Sequence, residues 1–292
     1  MRTSVVIATR NRRAGLLQTI ARLRQLPEHP PVLVVDNGST DGTPDAVDAV
    51  FPEVTVLRLG RNLGAPARNI GVAKATTPYV AFADDDSYWA PRALDRAADL
   101  FDQHPRLALV GARVLVGDRH QEDPTSAAMA ASPLPAPSGG AVGPSVLGFL
   151  ACGAVVRRSA FLEVGGFDDL LFFLGEEQRV ALDLAAASWQ LVYCSDVVAH
   201  HNPSPPSDPE GRRRRQWRNQ VLTAWLRRSP VLAATLTAEL LKRAPYDPVA
   251  RGALAEVVVR LPAALRRRRR VPDHLERAVR LLDQGPVRQS GT

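Results

Sequence analysis

The chain has 292 residues, 45% of them hydrophobic and 23% charged, an ordinary globular composition for one large domain or a domain with an appendage. Its two cysteines, Cys152 and Cys194, are too few for a disulfide framework or a metal-ligand cluster and read as cytosolic thiols. The net charge of +7 is unevenly spread: from His201 onward there are 19 basic and 8 acidic residues, against 18 and 22 before it, so the chain has two electrostatic halves.

The opening apolar run, Val5-Val6-Ile7-Ala8, is too short for a signal peptide. The run Val146–Val156 falls well short of the roughly 20 residues that span a bilayer. The expectation is a soluble, cytoplasmic protein.

Residues 4–8 read as a buried β-branched strand. Leu16, Leu17, Ile20 and Leu23 then fall on one helical face. Val32–Val35 is a second strand ending at Asp36, and residues 37–43 are a loop of turn formers and helix caps. Pro44 suits the first turn of a helix that reaches Val50. Val54–Leu59 is a third strand, 65–76 a helix, and Tyr79–Ala83 a fourth strand that runs into three aspartates. A helix over 91–101 and a strand over 107–116 follow. This β-α-β alternation predicts an α/β fold, a mainly parallel sheet flanked by helices on both faces.

Residues 117–146, rich in Pro, Ala, Ser and Gly, break the pattern and read as a long surface excursion. Leu147–Val156 reads as a strand. A helix from about Gly175 to Ser188 and short strands at 191–194 and 197–199 complete the first part. Asn202–Gly211, with four prolines, reads as a linker. Beyond it the pattern is helical and Arg-rich over 211–228, 231–243, 248–268 and 273–284. The division expected is 1–205 and 206–292, with a donor-side part to about 116 and an acceptor-side part over about 147–205.

In open α/β sheets, ligands sit at the carboxyl ends of the strands. Thr9, Asp36-Asn37 and Asp84-Asp85-Asp86 all fall at such ends and so converge on one crevice. Three consecutive carboxylates repel one another unless water or a cation screens them, and a hard divalent cation completed by phosphate oxygens is a natural partner. A solvated acidic turn is the alternative. Asp36 suits a nucleobase N–H or ribose hydroxyls, or a turn role. Arg68 suits phosphate or one of the aspartates. Glu176 and Glu177 open a helix, where acidic residues fit the dipole or supply a general base. One imidazole of His200-His201 could complete a metal site. The turn after the first strand holds a single glycine and lacks the G-x-G-x-x-G of a dinucleotide site, so a cation is the better candidate for neutralising a diphosphate.

Together these residues resemble glycosyltransferase family 2, inverting enzymes with the GT-A fold. The resemblance is carried by Ser4–Arg12, Val34–Thr43, Arg61-Asn-Leu-Gly64 with Ala67-Arg-Asn69, Tyr79–Asp86, Gly165-Gly-Phe167 and Gly175-Glu-Glu177, in the family's order. It implies that Thr9, Asn11, Asp36 and Asn37 line a nucleoside pocket, with Gly64 and Arg68 near the nucleotide. It places Asp84 and Asp85 near the ribose and donor sugar, and makes Asp86 the main ligand of Mn2+ or Mg2+. Glu177 stands where relatives carry an aspartate, which makes it the implied base with Glu176 as fallback. His200 is similar in place to a histidine after the last core strand. The implied donor is a UDP-, dTDP- or GDP-sugar, and the acceptor a glycan, a lipid-linked sugar or a small molecule.

Arg212–Arg215 and Arg266–Arg270 suit a solvated helical face or anionic lipid headgroups at a membrane surface. Nucleic acid is not favoured, because no recognition motif accompanies them. Two rival functions remain: a nucleotidyltransferase, whose glycine-rich basic loop after the first strand is absent, and a non-catalytic nucleotide-sugar or carbohydrate-binding relative.

Overall fold

The computed structural model describes residues 1–137, 142–204 and 208–283. Strand β1 (Thr3–Thr9) lies between β2 (Val32–Asp36) and β4 (Tyr79–Ala83), all parallel, with β3 (Thr55–Arg58) outside β2. The residues of β2 and β4 are buried throughout, as expected for strands covered on both faces. Strand alternation divides the core. Val5 and Ile7 pack with α1 (Arg13–Arg24) and α4 (Ala93–Gln103), whereas Val6 packs on the other face with α3 (Ala67–Lys74). On α1 the buried Leu16, Ile20 and Leu23 follow a 4-3 spacing, each contributing about 1.5–3 kcal/mol of burial. Helix α2 (Thr43–Val50) starts with Pro44 in its first turn, as expected.

The rest of the sheet is mixed. Its further strands are β5 (Ser87–Trp89), β6 (Leu107–Val116), β7 (Gln121–Glu122), β8 (Ala154–Arg157) and β9 (Gln190–His201), and the order is β3-β2-β1-β4-β8-β6-β9-β5, with β7 paired to β6. Strand β8 runs antiparallel to both β4 and β6, and β9 is parallel to β6. Strand β5, which the sequence did not announce, adds antiparallel to β9. The two short strands expected at 191–194 and 197–199 are one strand. Its register jumps from Ala112↔Cys194 to Arg113↔Val198, so an irregularity absorbs the residues between.

Three other expectations change. The excursion over 117–146 carries β7 (Gln121–Glu122) and α5 (Pro124–Ala130), while residues 138–141 lie outside the described residues. Asp123 caps α5 by accepting from Thr125 N at 2.7 Å, ahead of Pro124, and Ser126 locks the helix to β6 through Val114 N at 3.0 Å. The strand expected from Leu147 begins only at Ala154, after a 3-10 turn at Ala151–Gly153. Helix α6 (Arg158–Glu163) was not foreseen.

Helix α7 (Glu176–Ala186) precedes β9. The C-terminal helices are α8 (Pro209–Arg227), α9 (Pro230–Arg243), α10 (Pro248–Arg266) and α11 (Asp273–Asp283). Three of them start alike: Asp208, Ser229 and Asp247 accept a backbone N–H, each followed by proline. Their interior faces form a core of Leu222, Leu226, Leu240, Ala253 and Val257, into which Leu171 inserts from the first part of the chain. The charge runs are partly paired within the protein, although seven of their nine arginines are exposed. Arg267 pairs with Asp168 at 2.9 Å, and Arg268 Nη2 donates to Arg228 O at 2.8 Å. No helix among the described residues is long and apolar enough to cross a membrane. Residues 205–207 of the expected linker and 284 of the last helix lie outside the described residues.

Candidate functional site

Asp84, Asp85 and Asp86 leave the end of β4, and their backbone is fixed from three sides. Ser87 Oγ accepts from Asp84 N at 2.7 Å, Thr19 Oγ1 donates to Asp85 O at 3.0 Å, and Asn202 N donates to Asp86 O at 2.9 Å. Each carboxylate has its own partner. Asp84 pairs with the buried Arg68. Asp85 accepts from Thr9 Oγ1 at 2.8 Å and lies 3.9 Å from Arg12 Nε. Asp86 lies 3.4 Å from His201 Nε2. These separate partners answer the repulsion of the run. Burial, with the charges of Asp86 and Asp84, still pushes Asp85 up to about 6 against the pull of the Thr9 hydrogen bond. Burial disfavours the His201 imidazolium, yet Asp86 raises its pKa above the ordinary histidine value.

Glu176 and Glu177 begin α7 after a turn in which Phe172 (φ 66°), Leu174 (φ 75°) and Gly175 (φ 83°) are all left-handed. That conformation is rare for residues with a side chain and tends to persist only where the surroundings impose it. Here α8 imposes it. The Asn219 amide reaches Leu171 O at 2.9 Å, Phe173 O at 2.8 Å and Leu174 O at 2.5 Å, and Arg218 Nη2 donates to Leu171 O at 2.7 Å. Glu176 is buried, one of its oxygens has no hydrogen-bond partner, and Glu177 is half-buried. Burial raises the pKa of both, and for Glu176 the charge of Glu177 adds to it. Arg68 faces this pair as well as Asp84. Burial opposes its charge, but these carboxylates raise its pKa.

The aspartates, both glutamates, Arg68 and His201 line one cavity of about 610 Å3, together with Arg10, Arg12, Cys152, Arg212 and Arg215. Five of the expected residues sit beside it. Thr9 is tied to Asp85, and Asp36 is its register partner on β2. Asp36 Oδ2 accepts from Ser39 N at 3.0 Å, while its buried Oδ1 has no partner. Asn11 Oδ1 accepts from Thr40 N at 2.8 Å. Asn37 is occupied internally, accepting from Leu63 N at 3.0 Å and donating to Gly64 O at 3.3 Å. Gly64 (φ +69°) is forced, since a Cβ there would lie 2.2 Å from Phe172 O. Next to it, Ala65 N donates to Phe172 O at 2.7 Å.

His200 does not join the aspartates. Strand β9 continues through His201, so the two rings point to opposite faces. His200 stacks on Tyr88 at 4.9 Å, with its Nδ1 at 3.2 Å from that of His120. Of the two imidazoles weighed, His200 was preferred through the resemblance; alternation along a strand that runs on to His201 turns His201 toward Asp86 instead. Cys152 was missed as well. Its ligand atom lies within 4.8 Å of those of Asp84 and His201, but burial raises the thiol well above its usual pKa. A protonated thiol is a poor ligand for a hard cation. A larger hollow of about 850 Å3 involves Asp168, Asp183, Arg227 and Arg267, whose charges largely pair with one another.

Comparisons with known proteins agree with this architecture. The N-acetylglucosaminyl-diphospho-decaprenol L-rhamnosyltransferase of Mycobacterium tuberculosis is 31% identical over 241 residues, covering 70% of this chain and 78% of that protein. The pre-mycofactocin glycosyltransferase of the same organism is 31% identical over 208 residues, 68% of this chain but 42% of that protein. Among solved structures, a mannosyltransferase from Pyrobaculum calidifontis in complex with GDP-Man and Mn2+ superposes with a TM-score of 0.59 at 20% identity. It covers 98% of this chain and 82% of its own. S. aureus TarS 1-349 in complex with UDP gives 0.56 at 20% identity, covering 89% and 71%. Both show the GT-A fold. The profile described as "Glycosyl transferase family 2" matches residues 4–165, and on these grounds the chain is a glycosyltransferase that belongs to glycosyl transferase family 2.

Proposed function

We propose that the enzyme moves a sugar from a nucleoside diphosphate sugar to a hydroxyl of a lipid-linked acceptor, inverting the anomeric centre. The observation that carries this reading is the meeting of Asp84–Asp86 with Glu176 and Glu177 in one cavity. Asp36, with its free buried Oδ1, accepts from the nucleobase or ribose. Asn11 and Asn37 shape that pocket, and Asp84, held by Arg68, and Asp85, held by Thr9, face the ribose and donor sugar. Glu177, the more accessible of the pair, takes the proton from the acceptor hydroxyl as it attacks the anomeric carbon in a single displacement; Glu176 is the fallback. Carboxylate and imidazole donors 3.4 Å apart fit a divalent ion. When bound by Asp86 and His201, Mn2+ or Mg2+ would neutralise charge developing on the departing diphosphate. Support for a lipid-linked acceptor comes from the name of the mycobacterial rhamnosyltransferase. Exposed Arg266, Arg269 and Arg270, next to exposed Leu265, suit peripheral contact with anionic headgroups.

A transfer assay with UDP-, dTDP- and GDP-sugars, with and without Mn2+, tests the reading. Expected is turnover of one nucleotide class, lost in Glu177→Gln. A pure preparation that neither binds nor turns over any nucleotide-sugar would sink it.

A further inference from the structure

Arg212–Arg215 places four like charges on the first turns of α8, and helical periodicity divides them. Arg213 lies 3.4 Å from Asp247 and stacks over the Trp217 ring at 5.2 Å, and Arg214 reaches Glu256 at 3.1 Å. Both therefore hold α8 to the start and body of α10. Arg212 and Arg215 instead line the cavity that contains the aspartates and Glu177. With Asn219 they follow the i, i+3, i+7 spacing of one helical face. Asn219 fixes where that face points, because its amide bonds the turn that leads into Glu176.

The charge of these two arginines is only partly paired. Arg212 is exposed and makes no ion pair among the described residues. Arg215 touches Asp208 at 3.5 Å, and its buried Nε has no hydrogen-bond partner. The three aspartates already have other cationic neighbours in Arg68, Arg12 and His201. Asp208 lines the cavity too, so Arg212 and Arg215 leave its α8 side with a surplus of one positive charge.

We propose that Arg212 and Arg215 form a diphosphate subsite for the acceptor, distinct from the place of the donor's diphosphate. The proposal rests on the reading of this cavity as a glycosyl-transfer site and gives its acceptor an anionic handle. Guanidinium forks match phosphate oxygens bidentately. Anchoring the acceptor through its phosphates would leave its hydroxyl free to meet Glu177.

Calorimetric titration of the full chain saturated with UDP and Mn2+ tests this, with farnesyl diphosphate, inorganic pyrophosphate and farnesol as probes. Both phosphate-bearing probes should bind and compete with one another, and farnesol should not. R212Q/R215Q should weaken both by at least about tenfold, while UDP affinity changes by less than about twofold. R212K/R215K should recover part of the loss, because charge is retained. Unchanged farnesyl diphosphate binding in R212Q/R215Q overturns the proposal. So does an equal loss of UDP affinity, which would assign the arginines to the donor, and so does tight farnesol binding that R212Q/R215Q leaves intact. If the wild-type chain binds no nucleoside diphosphate, the donor reading fails, and the pyrophosphate titration of wild type against variant still decides the role of the arginines.

Discussion

Asn219, in the middle of α8, donates its side-chain amide to the carbonyl oxygen of Leu174 at 2.5 Å, immediately upstream of Gly175 and the glutamate pair. A residue of the C-terminal helices thereby holds the turn that leads into Glu176 and Glu177, the latter the proposed base. The left-handed Phe172 and Leu174 would relax without it, and relaxation there displaces Glu177.

Asn219→Ala should therefore act on chemistry more than on donor binding. Three carbonyls lose a donor, at a cost of about 1–3 kcal/mol in stability. A displaced base costs on the order of 100-fold in rate. The expected pattern is a large fall in kcat, little change in the donor KM and a lower Tm, read from steady-state kinetics and thermal unfolding. An unchanged kcat would contradict the role assigned to Asn219.

Gly64→Ala should be worse than Gly60→Ala, although both glycines are left-handed. At Gly60 an added Cβ meets nothing within 4 Å, so only the left-handed cost of about 1–2 kcal/mol applies. At Gly64 it would lie 2.2 Å from Phe172 O and must push the base-bearing turn aside. The difference in unfolding free energy and in kcat between the two variants measures that contact.

The raised carboxylates of α7 set a pH dependence with a definite sign. Glu176 is pushed up to about 8 by burial and by Glu177, and Glu177 is also raised. The unfolded chain releases these protons near 4.5, so the fold binds more protons than the unfolded chain and loses stability as pH rises through this window. Activity has the opposite slope, since the base must be ionised. Glu176 is still protonated where Glu177 ionises, so Glu176→Gln should leave the acid limb of kcat/KM in place while raising Tm at pH 8. A limb that moves to lower pH would show that Glu176 is charged before Glu177.

Histidine variants separate the two faces of β9. Asp86→Ala and His201→Ala should each weaken Mn2+ binding by about 10–100-fold or more and abolish the dependence of turnover on added metal. His200→Ala, whose ring stacks on Tyr88, should leave metal affinity within about threefold of wild type, as expected for a side chain on the opposite face. Titration calorimetry with Mn2+ and a chelator-reversal assay read both effects.

Much of the first part of the chain was legible because buried strands and their loops carry local signals. The run Tyr79–Ala83 and the aspartates after it were found where expected, as were the four C-terminal helices, announced by their Arg-rich helical pattern. What was not legible depends on contacts between distant segments. Nothing local to β8 shows that it inserts antiparallel between β4 and β6. The short segment β5 becomes a strand only because β9 passes beside it. The preference for His200 over His201 followed the resemblance and a strand expected to end at Ala199, two residues short of its observed end. Asn219 carries no chemical signature at all; its importance lies in three carbonyls some 45–48 positions earlier in the chain.

The bond from Ala65 N to Phe172 O at 2.7 Å bears on the order of events. It ties the segment that holds Gly64 to the turn that leads into Glu176 and Glu177. On the proposed reading, a donor that settles beside Gly64 would brace that turn before an acceptor arrives. The expected outcome is an ordered reaction in which nucleoside diphosphate competes with the donor alone, read from product-inhibition kinetics.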